Sequence, residues 1–246
     1  MNTNKIEFRL VPHKELAVRE KTEMFQLLAR HFHGLTPEKF ALDLAEKNLA
    51  LLLQCGETLV GFSTLLSYTT TFENASINVI YSGDTIVTPG AWGTTALPRA
   101  WVAGVEALRA ESPPGRCFWL LLTSGFRTYR FLPVFWRAFF PRFDAPTPPE
   151  RQRLLNHLAT VRFGSQFIID NGIVRFAQPQ RLRAGLNEVA SGRASNSHIA
   201  FFLSRNAGWI HGDELVCLTE LSPENLTAAG RRIMNLQSCA TFCDHR

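Results

Sequence analysis

The stretch IYSGDTIVTPGAWGTTALP, residues 80–98, decides how the chain is organised. It starts as the end of an apolar strand, continues through a loop of glycine, threonine and proline, and leads to a segment at 99–112 with helical spacing. Asp84 is the single carboxylate between residues 76 and 95. A strand that enters a helix through such a loop presents free backbone amides at the helix start, where an anion binds favourably.

The sequence before this stretch predicts a strand, two helices and a three-strand meander. Residues 5–11 alternate as a strand does, and the segments 15–32 and 36–48 carry apolar residues at helical spacing. Gly56 and Glu57 separate two predicted strands, 49–55 and 58–72, by the length of a tight hairpin. The stretch 76–88 is the third strand of this meander.

The sequence after the loop predicts a crossover to a parallel strand. Residues 116–125 are almost continuously apolar, which is typical of a strand buried on both faces beside a parallel neighbour. Residues 128–143 predict an aromatic helix kinked at Pro133. The remaining segments are interpreted as an insertion at 145–196, two final strands at 197–206 and 213–222, and a closing helix at 224–235.

Composition predicts one folded domain over residues 1–246. The chain is 46% hydrophobic and 19% charged, which excludes a disordered protein and allows a full core. No apolar run approaches the roughly 18 residues that span a bilayer, and the N-terminus lacks a signal-peptide core, so we expect a cytoplasmic protein without a membrane span. The odd number of cysteines argues against a disulfide framework, and Cys239, Cys243 and His245 lack a second ligand pair, so we expect no metal.

The basic residues are distributed unevenly along the chain, whose formal charge is +5. All lysines lie at or before Lys47, and every later basic residue is arginine, the side chain suited to bidentate contact with phosphate or carboxylate. Two interpretations stay open: an anionic partner for the C-terminal two-thirds, or a genome biased toward arginine codons.

The order of elements resembles the GNAT fold of the Gcn5-related N-acetyltransferases over residues 5–144 and 197–222. The resemblance implies an α/β (α+β) protein whose mixed central sheet combines an antiparallel meander, a parallel strand pair and flanking helices, with a helical insertion at 145–196. It also implies an N-acyltransferase that uses acyl-CoA or an acyl-phosphopantetheine as co-substrate and a small-molecule or peptide amine as acceptor.

In that family a loop of pattern R/Q-x-x-G-x-G/A binds the pyrophosphate of the donor. Residues 90–95 occupy this place: Gly93 matches the glycine, while Gly90 and Thr95 replace the Arg/Gln and the second Gly/Ala. The threonine hydroxyls of this loop can donate to the same phosphate oxygens. The alternative is an ordinary strand-to-helix connection. The resemblance implies that the donor contacts Thr85, Ile86, Val87 and Thr88 with its arm, and Gly90, Trp92, Gly93, Thr94 and Thr95 with its phosphates.

Direct attack of an amine on a thioester needs a base, an oxyanion donor and an acid for the leaving thiolate. The resemblance implies a backbone amide at Ile86 or Val87 as the oxyanion donor. Asp84 is the candidate base because burial would raise its pKa, and the alternative is a turn or bulge residue. Tyr129 is the candidate acid, since the family's tyrosine position holds Phe135 or Trp136 here; the alternative is a structural hydrogen bond.

The aromatic and basic residues around 126–153 leave further alternatives open. The aromatic side chains form either core or a channel for a long acyl chain. Arg127 and Arg130, with later arginines, form a surface for an acyl carrier protein, a solvated face or a contact with nucleic acid, the last disfavoured by the absence of a recognised motif. The competing function is a binding module that has lost catalysis, and an exposed aromatic face on the insertion would favour a homodimer.

Overall fold

The fold is built on a mixed β-sheet with helices on both faces. The computed structural model describes residues 5–186, 188 and 195–243, with side chains described as far as residue 235. The strands are β1 (Ile6–Pro12), β2 (Phe32–His33), β3 (Leu49–Cys55), β4 (Thr58–Phe72), β5 (Ala75–Val87), β6 (Cys117–Thr123), β7 (Phe139–Phe140), β8 (Phe167–Ile168), β9 (Ile173–Val174), β10 (Arg181–Leu182) and β11 (Glu214–Glu220). The helices are α1 (Val18–His31), α2 (Pro37–Ala45), α3 (Ala96–Ala110), α4 (Phe126–Tyr129), α5 (Phe131–Phe135), α6 (Pro149–Phe163), α7 (Ser197–Arg205) and α8 (Ala228–Cys243).

The main sheet has the strand order β1-β3-β4-β5-β6-β11-β9-β8, with β7 paired to β11. Strands β3, β4 and β5 form the predicted antiparallel meander, and Gly56 makes the first turn with a φ of 59°. Helix α3 then crosses over and returns the chain as β6, which pairs in parallel with β5. The predicted combination of meander, parallel pair and flanking helices is therefore confirmed.

Strands β5 and β6 separate at one end of the sheet. Their parallel pairing ends at Ser82 and Leu121, although β5 continues to Val87 and β6 to Thr123. On its other side β5 carries a bulge, because the register with β4 shifts by one residue at Asp84. Asp84 has a φ of 25°, a backbone conformation that the bulge imposes. The bulge and the lost pairing leave an opening between β5 and β6.

The two faces of the sheet carry different helices. Ile80 and Trp119 point to one face, which is covered by α3, α4, α5 and α7. Tyr81 and Phe118 point to the other face and pack against α6, and the same face is covered by α1 and α2 nearer β3 and β4. This division follows the two-residue alternation of side chains along a strand.

Residues 197–206, predicted as a strand, form helix α7 instead. The Asn196 side chain accepts hydrogen bonds from the amides of His198 and Ile199 and so caps the helix. Ile199 and Phe202, three residues apart, are the buried positions. A short apolar run fits the periodicity of a strand as well as that of a helix, and the Asn196 cap favours the helix. Of the two predicted final strands, only β11 forms.

The single kinked helix predicted at 128–143 is also wrong. Helices α4 and α5 are short, and the chain becomes extended at Trp136 before it forms β7 against β11. Pro133 is the third residue of α5, where a missing amide hydrogen is tolerated. The segment 145–196 supplies α6 to one face, adds β9 and β8 beyond β11, and pairs β10 with β2. None of the described helices is both long and apolar enough to span a bilayer.

A buried cluster of three tryptophans supports the parallel pair where its pairing ends. The rings of Trp101, Trp119 and Trp136 lie 4.4 to 5.5 Å apart between their centroids. The hydroxyl of Ser82, the last paired residue of β5, accepts hydrogen bonds from Trp101 Nε1 at 3.0 Å and Trp119 Nε1 at 2.8 Å. One serine therefore satisfies two buried indole donors.

We expect Ser82→Ala to lower the free energy of unfolding by at least about 2 kcal/mol, because it leaves two buried donors unpaired at about 1–3 kcal/mol each. Urea unfolding measures the change, and Ser204→Ala, at an exposed helical serine, is the control, with an expected change within about 0.5 kcal/mol. Equal changes in the two variants would show that Ser82 does not hold the cluster.

Candidate active site

Two cavities of different character meet at the opening between β5 and β6. The first has a volume of about 310 Å³ and is called the basic cavity. Its walls are the end of β5, the loop and helix start at 91–98, the segment 124–131, and side chains that include His31, Leu182 and Trp209. The second has a volume of about 130 Å³ and is called the acidic cavity, after Asp43, Asp84 and Glu214 in its walls. Both cavities are lined by Phe32, Thr85, Ser124 and Thr128.

Most residues assigned to the donor from the sequence resemblance lie around the basic cavity. The wall contains Thr85, Ile86, Val87, Trp92, Gly93, Thr94, Arg127 and Arg130. The other three, Thr88, Gly90 and Thr95, lie in the same connection without reaching this wall. Residues distant in sequence, from β5 to α4, therefore share one surface.

The start of α3, part of which lines this cavity, carries unpaired amides. The amide groups of residues 93–97 donate to no acceptor in the described part of the chain. Gly93 has a φ of 82°, a conformation that favours glycine, and it turns the chain into the helix. Thr94 uses its hydroxyl locally, donating to Ala91 O at 3.0 Å. Free amides and the positive end of a helix dipole are favourable surroundings for an anion.

Arginine side chains give the basic cavity its charge. The Arg127 guanidinium lies 4.3 Å from the centroid of Trp92 and 4.8 Å from that of Phe126, and it donates to Leu186 O. Trp92 is fixed in turn, since its Nε1 donates to Val87 O at 2.8 Å. Arg130 lies in the same wall, and among the described residues no carboxylate lines the cavity. The net positive charge suits a phosphate-bearing ligand.

The strand geometry identifies one backbone amide that faces the opening. Thr88 N donates to Val60 O at 2.8 Å, so Thr88 points toward β4. Alternation along an antiparallel ladder then directs the amide of Val87 away from β4, to the side that β6 has left. Of the two expected oxyanion donors, Ile86 and Val87, the geometry favours Val87.

The acidic cavity holds carboxyl groups whose pKa values are raised. Burial, with the neighbouring carboxylate of Asp43, raises the pKa of Asp84 above the ordinary carboxyl range. Burial raises the pKa of Glu214 to about 7, against the opposing attraction of Lys39. Asp84 is thus both the bulge residue and a cavity residue, and its role as the base stays a prediction.

Lys47 is the charged group beneath the bulge. Its side chain is fully buried, and its Nζ lies 2.6 Å from Asp43 Oδ2 and donates to Asp43 O at 2.9 Å. A Cβ at Gly83 would lie only 2.8 Å from Lys47 Cε, so the lysine packs directly under β5. Lys47 lowers the pKa of Asp84, opposing Asp43 and Glu214, which raise it.

Tyr129 does not line either cavity. Its ring is completely buried among Phe139, Phe201 and Phe202, and its hydroxyl donates to Pro141 O at 3.0 Å. Burial raises the pKa of Tyr129 far above its usual value. The structure therefore gives Tyr129 the structural hydrogen bond and does not bring it to the opening.

Several polar cavity residues carry weak sequence signals. Asp43 lies on a helix face, Glu214 at the start of the last strand and His31 at a helix end, and each sequence position fits an ordinary surface residue. Lys47 gives a clearer hint, because it lies two residues before a strand that is buried from its first residue. Cys239, Cys243 and His245 lie outside the described side chains.

The strand order, the parallel β5–β6 pair and the opening beside a strand-loop-helix connection agree with the GNAT fold that the sequence predicts. No family model and no curated protein sequence matches the chain.

Solved structures similar to the chain include three acyltransferase-type proteins. A probable N-acyltransferase from Enterococcus faecalis V583 is 12% identical with a TM-score of 0.43, over 88% of this chain and 66% of that one. A GCN5-related N-acetyltransferase from Kribbella flavida is 12% identical with a TM-score of 0.42, over 92% and 67%. An acyl-CoA N-acyltransferase from Pseudomonas aeruginosa is 15% identical with a TM-score of 0.37, over 47% and 79%.

We expect opposite shifts in the pKa of Asp84 when its two charged neighbours are changed. Asp43→Asn removes a repelling carboxylate and lowers the pKa, whereas Lys47→Met removes an attracting cation and raises it. Carboxyl ¹³C NMR titration measures both shifts, with the exposed Lys14→Met as control. A shift of the same sign in both variants would refute this arrangement of charges.

Proposed function

We propose that the protein is an N-acyltransferase that moves an acyl group from a CoA or phosphopantetheine thioester to a small primary amine by direct attack. The observation that carries this proposal is the meeting of a basic and an acidic cavity at the opening between β5 and β6. An anionic donor suits one side and a cationic amine suits the other. The reacting atoms would meet where both cavities share Thr85, Ser124 and Thr128.

The donor's phosphates would bind the free amides of residues 93–97 together with Arg127 and Arg130. Its pantetheine arm would extend along the unpaired edge of β5, where strand amides and carbonyls are open to a linear polar ligand. This places the thioester carbonyl near the amide of Val87. A preorganised backbone donor there stabilises the oxyanion that forms during attack.

The acceptor amine would enter the acidic cavity as an ammonium ion and lose its proton to Asp84. The neutral nitrogen attacks the thioester carbon, a C–N bond forms, and the C–S bond breaks with its electron pair on sulfur. The nitrogen loses a second proton as the amide forms, and this proton balances the one that converts the thiolate to a thiol. The ammonium proton leaves through Asp84 to solvent. The products are an amide and the free thiol form of the donor.

The raised pKa of Asp84 suits this role, because a base is most useful when its pKa lies near the working pH. Asp84 must be ionised to accept the proton. Turnover therefore increases as the pH rises through the raised pKa of Asp84. The acid limb of the pH–rate profile lies above the ordinary carboxyl range.

We expect Asp84→Asn to reduce kcat by about 10²-fold or more while leaving donor affinity unchanged, because the amide cannot accept the ammonium proton. Amine-dependent thiol release with acyl-CoA measures kcat, and titration calorimetry measures donor binding. Asp170→Asn, at an exposed carboxylate outside both cavities, is the matched control. Unchanged turnover in Asp84→Asn would remove this residue from the mechanism.

A second expectation concerns the donor. Acyl-CoA at about a hundred times its dissociation constant stabilises the fold by about 2.7 kcal/mol, a rise of several degrees in the unfolding midpoint. Arg130→Gln should reduce that rise. Acetyl, medium-chain and long-chain acyl-CoA are compared with acylated and holo carrier protein. A response to acylated carrier protein alone would assign the donor to that class, and no response to any donor would favour a non-catalytic binding module.

A further inference from the structure

His31 is a buried titratable residue in the wall of the basic cavity that the reaction described so far does not use. It is the last residue of α1, and it is 7% exposed. Its neighbour Phe32 lines both cavities, so His31 lies beside their junction. The orientation of its ring decides what this side chain can do.

The imidazole is fixed by one hydrogen bond. Nδ1 lies 2.8 Å from the carbonyl oxygen of Leu27, one turn earlier in α1. A carbonyl only accepts hydrogen bonds, so Nδ1 carries a proton and Nε2 is the nitrogen that gains or loses one. Nε2 has no hydrogen-bond partner within the described residues, and the ring belongs to the cavity wall. The free nitrogen is therefore available to a bound ligand.

The other polar groups at the junction are poor acids for a thiolate. Ser124 and Thr128 offer aliphatic hydroxyls, which hold a proton far more tightly than a thiol does. Tyr129 is engaged with Pro141 away from the cavities. Arg127 and Arg130 attract an anionic sulfur but keep their protons. An imidazolium, in contrast, is a stronger acid than a thiol and transfers its proton readily.

We propose that His31 is the general acid that protonates the leaving sulfur; this inference rests on the proposed acyl transfer. As the C–S bond breaks, its electron pair stays on sulfur, and the Nε2–H proton of the imidazolium passes to it. A thiol and a neutral imidazole result. The imidazole regains a proton from solvent before the next turnover. Asp84 returns the ammonium proton to solvent, and the second proton, which the nitrogen loses as the amide forms, also passes to solvent. Nδ1 stays bonded to Leu27 O throughout and holds the ring in place.

The test compares two donors that differ only at the leaving atom: an acyl-CoA thioester and the selenoester of the same acyl group on the selenium analogue of CoA. A selenol is much more acidic than a thiol, so selenolate leaves without protonation. His31→Asn keeps an amide group able to donate to Leu27 O but lacks Nε2, and His33→Asn, at the exposed neighbouring histidine, is the control.

We expect His31→Asn to lower kcat by about 10²-fold with the thioester and by only a few-fold with the selenoester. His33→Asn should match the wild type with both donors. An equal loss with both donors would overturn the inference, since it would show a structural or binding role, and so would an unchanged kcat. Failure of the wild type to release thiol or selenol with any amine would instead reject the proposed function itself.

A measurement on the wild-type protein covers the case in which His31→Asn does not fold. Nitrogen-15 NMR of the imidazole should show Nδ1 protonated in the free protein, and addition of CoA thiol should shift the Nε2 resonance of His31. The inference would be overturned if the neutral ring carried its proton on Nε2 instead of Nδ1. It would also be overturned if the Nε2 resonance did not shift when CoA is added.

Discussion

The separation of β5 from β6 beyond Ser82 and Leu121 is the constraint on which the candidate site depends. Up to this point the two strands satisfy each other's backbone groups, and beyond it one edge of β5 is left for another partner. The bulge at Asp84 bends β5 and turns a carboxyl group to one face, while the chain beyond it leads into the loop and α3. Backbone geometry, more than any side chain, thus creates the space in which two ligands would meet.

Charge is divided across the sheet in a way that follows from this geometry. Arginines and free helix amides surround the space on the α3 face, and carboxyl groups surround the space on the α1 and α2 face. Among the described residues, the walls of the acidic cavity contain no arginine and those of the basic cavity contain no carboxylate. Lysines are the exception on the acidic side: Lys39 lines the acidic cavity, and Lys47 is buried against Asp43.

The sequence predicts the parts of the fold whose signals are local and long. The strands of the meander, Gly56 in its turn and the strand-loop-helix unit carry periodicity or turn residues that fix their structure. Short apolar runs are ambiguous, which is why residues 197–206 form a helix rather than the predicted strand. Most residues of the basic cavity that the sequence identifies lie in one stretch, 85–94. His31, Asp43 and Glu214 could not be predicted, since they come together only through tertiary packing.

Gly83 and Lys47 pack so closely that the residue types at the two positions should be linked in homologous chains as well. A Cβ at residue 83 would meet the lysine side chain at 2.8 Å and Thr64 Oγ1 at 3.1 Å, so a larger residue there requires these side chains to move. Among homologous chains the two positions should vary together: glycine on the strand where a long side chain follows α2, and a bulkier strand residue only where that side chain is short. Such paired variation would leave an evolutionary record of the packing beneath the bulge.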